Sequence, residues 1–136
     1  MCIRDRVWDI SEDLYKQLED HWTQYIKPIC EEYWAPMLHT SIRDAFVMKY
    51  TVDTQRSLAL HNDASLVTAS VKLNDDYEGA ELVFPRQKKT NKDVPVGEAI
   101  LFPGQVTHGH KCEELTSGTK YSLTIWTARY AGDINR

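Results

Sequence analysis

The residues best suited to chemistry are an H-x-D motif, His61 and Asp63, and a later pair of histidines, His108 and His110. In an extended strand, side chains two positions apart point to the same face, roughly 6.5–7 Å apart along the chain, so His61 and Asp63 can bind one metal ion. The motif alone is weak, because a turn aspartate beside a surface histidine often arises by chance. A third ligand from the later pair, either His108 or His110, would make the pattern specific.

Two histidines and one carboxylate on one face of a metal form the facial triad of non-haem iron(II) oxygenases, which leaves coordination positions open for a 2-oxo acid and dioxygen. The 2-oxo acid 2-oxoglutarate has a second carboxylate, which needs an internal cation because an unpaired buried charge is costly. Lys120, at the start of the last predicted strand, is the candidate. A lone lysine at a strand start is more often exposed, so its place in the wider pattern decides the assignment.

Strands are the elements that must position these residues. From residue 43 onward, runs rich in β-branched and aromatic residues are separated by clusters of Gly, Pro, Asn and Asp. Several short strands, with helix confined to the N-terminal side, predict a mainly β fold with an N-terminal helix, arranged as a β-sandwich or jelly roll. The predicted strands are 45–52, 65–73, 81–84, 98–102 and 120–128, with a turn over 74–79.

A helix is predicted over residues 9–33, where apolar residues recur at intervals of three and four. Asp9 and Glu12 have the form of a capping box, and Pro28 is expected to kink or end the helix near Lys27. We expect a single domain, in which residues 1–42 form a helical support and residues 43–131 form the β core. The apolar stripe consists of Leu14, Leu18, Trp22, Tyr25, Ile26 and Ile29.

Composition excludes several classes of protein. The chain has 136 residues, 42% hydrophobic and 26% charged, which is ordinary for a globular domain. Its net charge of −4 argues against a nucleic-acid partner. The one basic cluster, residues 86–92, is interpreted as a solvated loop, with a lid that meets an acidic or peptide substrate as the alternative. The oligomeric state is not predicted.

The ends of the chain and its cysteines bear on its setting. No apolar run approaches a membrane span and no signal peptide is evident, so we expect no membrane partner and a cytoplasmic location. Residues 1–6 resemble translated library-adapter sequence, so the chain is expected to be a fragment. Cys2, Cys30 and Cys112 are odd in number and widely spaced, which predicts neither a disulfide framework nor a structural zinc site.

Between Phe46 and Thr127 the chain resembles the catalytic domain of the prolyl and lysyl hydroxylases, and most of all the C-terminal domain of the procollagen lysyl hydroxylases. The matching segments follow the family's order at close to its spacings. The family fold, a double-stranded β-helix, agrees with the predicted jelly roll. The segments are 49–50 (Lys-Tyr), 61–65 (His-Asn-Asp-Ala-Ser), 73–80 (Leu-Asn-Asp-Asp-Tyr-Glu-Gly-Ala), 102–104 (Phe-Pro-Gly), 107–110 (Thr-His-Gly-His) and 118–121 (Gly-Thr-Lys-Tyr).

The resemblance implies iron(II) bound by His61, Asp63 and His110, with 2-oxoglutarate as cosubstrate. In the family the last metal ligand precedes the cofactor-binding cation by ten positions, which is the separation of His110 from Lys120. His108 stands two positions too early and is the second choice, or a group beside the metal or the substrate. L-ascorbate is implied as a reductant that supports turnover in similar enzymes.

Further residues agree with the family or depart from it. Tyr50 matches a tyrosine that contacts 2-oxoglutarate in similar enzymes, although a core strand aromatic is an equal interpretation. Ser70 stands where lysyl hydroxylases have an asparagine near the cofactor, and Asn62 stands where they have a histidine. Lys120 replaces their arginine and matches the lysine of prolyl 4-hydroxylases. Cys112 is interpreted as a small strand residue, with a competing metal ligand as the alternative.

The expected function is therefore hydroxylation of an unactivated C–H bond, most of all in a peptidyl proline or lysine, with release of succinate and carbon dioxide. An oxygenase that acts on a free amino acid or another small molecule is the first alternative, because composition does not separate the two substrate classes. A non-catalytic module that binds metal or 2-oxoglutarate is the second alternative.

Overall fold

Antiparallel strands are the main elements of this fold. The structure is a computed structural model that describes residues 3–34, 40–130 and 133. Within these ranges, helices occupy only the N-terminal side. The strands are β1 (Ile3–Arg6), β2 (Ile42–Thr51), β3 (Leu58–His61), β4 (Val67–Lys72), β5 (Tyr77–Gly79), β6 (Leu82–Phe84), β7 (Lys89–Thr90), β8 (Ala99–Pro103), β9 (His110–Cys112) and β10 (Leu115–Thr127), and the helices are α1 (Val7–Ile10), α2 (Glu12–His21) and α3 (Lys27–Trp34), with a π-helical turn (Trp22–Ile26) between the last two.

The larger sheet has the strand order β1-β2-β10-β4-β8, and β5 also pairs with β10. The long strand β10 lies antiparallel to β2 on one side and to β4 on the other. Its register places Lys120 opposite Tyr50 and Thr124 opposite Ser70. These cross-strand pairs bring candidate cofactor-binding residues from three strands onto neighbouring positions of one sheet.

The smaller sheet has the strand order β3-β9-β6-β7. Its register places His61, the last residue of β3, opposite His110, the first residue of β9. Two residues 49 positions apart in the sequence therefore become direct neighbours through a single strand pairing.

The helices cover one face of the larger sheet. Tyr15, Trp22 and Cys30 are fully buried and belong to the same hydrophobic cluster as Ala69 and Ile125 of the sheet. The indole nitrogen of Trp22 donates a hydrogen bond to the carbonyl of Thr40. Burial of these large side chains is the main contribution that fixes the helical layer to the sheet.

The start of the helical region differs from the prediction. Asp9 and Glu12 do not form a capping box, since Asp9 lies inside α1. The cap of α2 is Ser11, which has extended backbone angles and accepts a hydrogen bond of 3.1 Å from the backbone N–H of Leu14. A serine hydroxyl satisfies an otherwise unpaired amide of the first turn, which is why the longer helix starts after this residue.

The predicted break near Lys27 is confirmed in part. Pro28 does not end the helix, because α3 continues through it, but the regular α-helix is interrupted by the π-helical turn directly before Lys27. The π-helical turn precedes the proline, and the backbone N–H of Lys27 donates to the carbonyl of Trp22, five residues earlier. Widening the turn by one residue lets the helical path continue at a position where proline has no N–H to donate.

The apolar stripe is confirmed only in part. Trp22 is buried, and Leu18 and Ile26 pack against the core. Leu14, Tyr25 and Ile29 are 49%, 54% and 40% exposed, so these three assignments are wrong. The π-helical turn inserts an extra residue into the helical period, and the face that meets the sheet therefore follows steps of four from Leu18 onward, ending on Cys30.

The five predicted strands are confirmed with shifts of a few residues at their ends. Residues 3–6, for which no element was expected, pair with β2. The predicted turn over 74–79 contains β5, and the basic loop over 86–92 contains β7. Strands of two to four residues carry too little periodic signal to be recognised in a sequence. Among the described residues, no helix is long and apolar enough to cross a membrane.

Candidate metal centre

Three predicted ligands converge at the junction of β3 and β9. Asp63 lies in the loop after β3, where its backbone N–H donates a hydrogen bond of 2.7 Å to the carbonyl of Gly104. Its Oδ1 atom is 3.3 Å from Nε2 of His61 and 3.4 Å from Nε2 of His110. The ligand atoms of the three residues all lie within 4.8 Å of one another. This spacing suits one ion bound by all three side chains.

Both imidazole rings are oriented by backbone carbonyls. Nδ1 of His61 lies 2.7 Å from the carbonyl oxygen of Ala59, and Nδ1 of His110 lies 2.9 Å from that of His108. A carbonyl can only accept, so each Nδ1 carries a proton and donates it. Each Nε2 faces Asp63 and would present its lone pair to a metal ion that takes the place of the proton shared with that carboxylate. Metal-binding histidines show this arrangement, in which the second nitrogen is held by a carbonyl and the first faces the ion. The residues present therefore fit a divalent metal.

The electrostatics of the cluster are those of a cation site. Burial alone would raise the pKa of Asp63, but hydrogen bonds with His110 and His61 outweigh it and hold that pKa well below the ordinary range. The hydrogen bond with Asp63 raises the pKa of His61 above its ordinary value, against the opposing effect of burial. The aspartate thus stays ionised in a buried position, where a metal would be its natural counter-charge.

A cavity of about 390 Å³ connects the triad to the other predicted site residues. Tyr50, Ser70 and Lys120 all line it together with the three metal ligands. Such a volume suits a small organic molecule. The remaining lining residues are Arg4, Phe46, Met48, Leu58, Asn62, Ala64, Thr68, Leu82, Phe102, Cys112, Ser122, Thr124 and Trp126.

Lys120 is a buried cation that faces this cavity, and the residue is only 5% exposed. Its Nζ donates a hydrogen bond of 2.7 Å to the carbonyl of Ala80 and lies 3.7 Å from Sγ of Cys112. The rings of Tyr50 and Tyr77 lie 5.4 and 6.0 Å away. Burial lowers the pKa of Lys120. Within the described parts of the chain, no carboxylate forms an ion pair with it.

Two other cations are already engaged. Arg43 donates to the carbonyl of Ala64 at 2.7 Å and lies 3.6 Å from the carboxylate of Asp133. Arg56 pairs with Glu114 at 2.9 Å on the surface. Neither lines the cavity. Arg4 does line the cavity, but this residue is exposed and its guanidinium lies 3.6 Å from the ring centroid of Phe46. Lys120 is therefore the better-buried cation for an anion that enters.

His108 lies outside the metal cluster. Its Nδ1 is 2.8 Å from the hydroxyl of Thr107, and its backbone carbonyl, not its ring, contacts His110. Cys112 is likewise absent from the ligand set found among the described residues. The choice of His110 over His108 as the third member of the cluster agrees with this geometry.

Sequence reasoning missed several residues that shape the site. Gly104 was predicted as part of a turn and of the matching Phe-Pro-Gly segment, without a packing role, yet a Cβ there would lie 2.5 Å from the carbonyl oxygen of Ser65. Phe84 and Phe102 enclose the ring of His110, with ring centroids 5.5 and 4.9 Å away. The Phe-Pro-Gly segment was the available signal, because a glycine after proline often marks a close backbone approach.

Comparisons with known proteins agree with this site. No family model matches the chain. It is 38% identical over 114 residues to the multifunctional procollagen lysine hydroxylase and glycosyltransferase LH3 of Rattus norvegicus, covering 77% of this chain and 15% of that protein. It is 38% identical over 115 residues to procollagen-lysine,2-oxoglutarate 5-dioxygenase 1 of Gallus gallus, covering 82% of this chain and 15% of that protein. The chain thus spans about 15% of the length of these curated relatives.

Solved structures show the same fold. A 2OG-Fe(II) oxygenase family oxidoreductase from Burkholderia pseudomallei superimposes with a TM-score of 0.68 at 16% identity, covering 90% of this chain and 59% of that chain. A viral collagen prolyl hydroxylase from Paramecium Bursaria Chlorella virus-1 gives 0.63 at 22% identity, covering 81% and 68%. By its sequence relatives, this chain belongs to the 2-oxoglutarate-dependent dioxygenase family that contains the procollagen lysyl hydroxylases.

Proposed function

We propose that this chain is the catalytic part of an iron(II)- and 2-oxoglutarate-dependent hydroxylase that acts on a peptidyl lysine or proline. The main support is the placement of the metal cluster and of a buried lysine around one cavity, where no described carboxylate pairs with the lysine. The cluster provides the ligands for iron, and the lysine provides the cation for an acid that binds to it.

The proposed roles follow from the contacts. His61, Asp63 and His110 bind the metal through two Nε2 atoms and one carboxylate oxygen. Lys120 pairs with the distal carboxylate of 2-oxoglutarate, while Tyr50 contacts the same molecule from the opposing strand. When bound, iron(II) and 2-oxoglutarate would supply the activation of dioxygen for C–H hydroxylation. The chain binds and orients these groups.

Ser70 and the cavity walls complete the proposed binding site. Ser70 lines the cavity beside Thr124 on the neighbouring strand, so its hydroxyl offers a hydrogen bond to the cosubstrate. The rings of Phe84 and Phe102 limit the access of water to His110. L-ascorbate is proposed as the reductant that restores idle iron. The two sheets that enclose the cavity are proposed to be the halves of a double-stranded β-helix.

The substrate assignment rests on the relatives. Their names describe enzymes that act on procollagen lysine, and the viral neighbour is named a collagen prolyl hydroxylase. Lys120 matches the prolyl enzymes and Asn62 departs from the lysyl enzymes, so both peptidyl residues remain in the proposal. A free amino acid is the competing substrate.

A succinate-release assay tests the function. Iron(II), 2-oxoglutarate and dioxygen are supplied with proline-rich peptides, lysine-rich peptides or free amino acids, and hydroxylated product is identified by mass spectrometry. We expect succinate release to rise with one of the two peptides. His61→Ala should abolish the release, and His108→Ala serves as the matched control because its ring lies outside the cluster. Release that persists in His61→Ala would contradict the proposed site.

A further inference from the structure

Three polar side chains meet on the wall of the cavity around Lys120. Sγ of Cys112 lies 3.7 Å from Nζ of Lys120, and the Tyr50 hydroxyl is hydrogen-bonded to the same sulfur. Cys112 and Lys120 also share the carbonyl of Ala80, at 3.5 and 2.7 Å. Both residues are at least nine-tenths buried and both line the cavity. The sulfur is therefore held beside a buried ammonium and open to small molecules that enter.

Lys120 has more donors than its surroundings use. An ammonium has three N–H donors and no acceptor. The described chain offers it one carbonyl, that of Ala80, and the weak acceptor sulfur of Cys112. An anion at the position of that sulfur would gain a charge-assisted hydrogen bond and would neutralise a buried charge.

We propose that Cys112 is an oxidative modification site whose sulfenate or sulfinate product pairs with the Lys120 ammonium. Hydrogen peroxide is the oxidant. Its O–O bond breaks, an S–O bond forms, the thiol sulfur loses two electrons, and peroxide is reduced to one water, giving the sulfenic acid. A second peroxide adds the second oxygen in the same way and gives the sulfinate, which is an anion at neutral pH.

The oxidised Cys112 side chain would pair with Lys120, the residue that the carboxylate of the cosubstrate needs. This part of the inference rests on the proposed function, because it requires 2-oxoglutarate to bind at Lys120. Nζ and Sγ are 3.7 Å apart, so an oxygen bonded to the sulfur can lie at hydrogen-bond distance from the ammonium with both side chains near their present positions. Oxidation should therefore weaken 2-oxoglutarate binding while leaving the metal ligands intact.

Cys30 provides a matched control within the same chain. It is also fully buried, but it lies on α3 in the helical cluster and does not line the cavity. Burial raises the pKa of both thiols, to about 11 at Cys30, but the Lys120 ammonium opposes the rise at Cys112 and no cation does so at Cys30. Peroxide should oxidise Cys112 and leave Cys30 reduced. An oxidised Cys30 would not form an ion pair, because no cation contributes at its position.

The test uses the full chain loaded with zinc(II), which has no redox chemistry of its own. Reduced and peroxide-treated samples are compared by peptide mass spectrometry, thermal unfolding without 2-oxoglutarate, and calorimetric titration of 2-oxoglutarate. We expect one or two added oxygen atoms at Cys112, a higher melting temperature, and ~100-fold weaker 2-oxoglutarate binding in the treated protein. Cys30→Ser should respond like the unaltered chain, whereas Cys112→Ser should be insensitive to peroxide in all three measurements.

Lys120→Met separates ion pairing from oxidation alone. Without the ammonium, the oxidised sulfur is a buried anion with no partner, so the melting temperature should fall on oxidation. A fall in the unaltered chain as well, or no oxygen at Cys112, would overturn the inference. Failure of the reduced protein to bind 2-oxoglutarate would instead contradict the proposed function, and the melting temperatures would still decide the pairing.

Discussion

The metal centre and the surroundings of Lys120 differ in how far a buried charge is compensated by neighbouring side chains. At the metal centre, the carboxylate of Asp63 contacts two imidazoles, and each ring is held in place by a carbonyl. Around Lys120, the buried ammonium has a carbonyl and a thiol as neighbours and no carboxylate among the described residues. The first region is organised before any ligand binds. The second is completed only by an anion.

The largest expected effect is at the organised region. Asp63→Ala or His110→Ala removes one of three ligands, and we expect metal affinity to fall by more than the ~10–100-fold that follows loss of a group behind a ligand. His108→Ala should keep most of its metal affinity, because its carbonyl and not its ring orients His110. Titration of iron(II) under anaerobic conditions measures both. Equal losses in the two histidine variants would show that the side chain of His108 takes part.

At the second region, the expected effect falls on the cosubstrate and not on the metal. Lys120→Ala leaves the distal carboxylate of 2-oxoglutarate without its partner, which should cost ~3–5 kcal/mol, or ~100-fold or more in affinity. Lys120→Arg should be milder because the charge is kept, although the larger planar group must fit the same space. The metal-to-ligand charge-transfer band reports 2-oxoglutarate binding directly. An unchanged dissociation constant in Lys120→Ala would remove this residue from the cofactor site.

The dependence of stability on acid pH in the metal-free protein tests the ionised carboxylate of the metal centre. The folded state holds the pKa of Asp63 well below its ordinary value, after hydrogen bonds with both histidines overcome burial. A lowered folded-state pKa stabilises the fold above the ordinary carboxyl pKa of about 4, and this contribution is lost as the pH falls below it. We expect Asp63→Asn to flatten the acid side of the melting-temperature profile. Asp75→Asn, on the exposed surface, should leave the profile unchanged.

The smallest effect is a gain in stability. In the absence of 2-oxoglutarate, Lys120→Met replaces a buried ammonium, which has no carboxylate partner in the described parts of the chain, with an apolar chain of similar length. We expect the free energy of unfolding to rise by ~1–3 kcal/mol. Lys16→Met, on the exposed side of α2, should change it by less than ~0.5 kcal/mol. Denaturant unfolding measures both. A loss of stability in Lys120→Met would mean that the bonds of its ammonium outweigh its burial cost.

The sequence predicted the metal ligands well, because their types and spacing are specific, and predicted the helical layer poorly, because tertiary packing determines which of its residues are buried. The triad was predictable because an H-x-D motif and a distant histidine have few alternative uses together. The third ligand could not be chosen from the residue types alone, because His108 and His110 share a face in an extended segment. Only the family spacing to Lys120 separated them before the geometry did.

The helical layer was less predictable. The exposed Ile29 and the buried Cys30 follow from the local path of the helix, because the π-helical turn before them shifts that path by one residue. No pattern of residue types marks such a turn in advance. Gly104 was overlooked for a related reason, because the carbonyl of Ser65 that it must accommodate comes from a distant part of the chain.

The pairing of His61 with His110 has a consequence for dynamics. β3 is an outer strand of the smaller sheet and has four residues. It pairs with β9 at two positions, Leu58 with Cys112 and His61 with His110. A short outer strand opens more readily than the body of a sheet. An ion bound to both histidines would act as a clasp across that strand pair. The amides of β3 should then exchange with solvent deuterium much more slowly in the metal-bound chain, and the rate at which metal leaves should follow the opening of this strand.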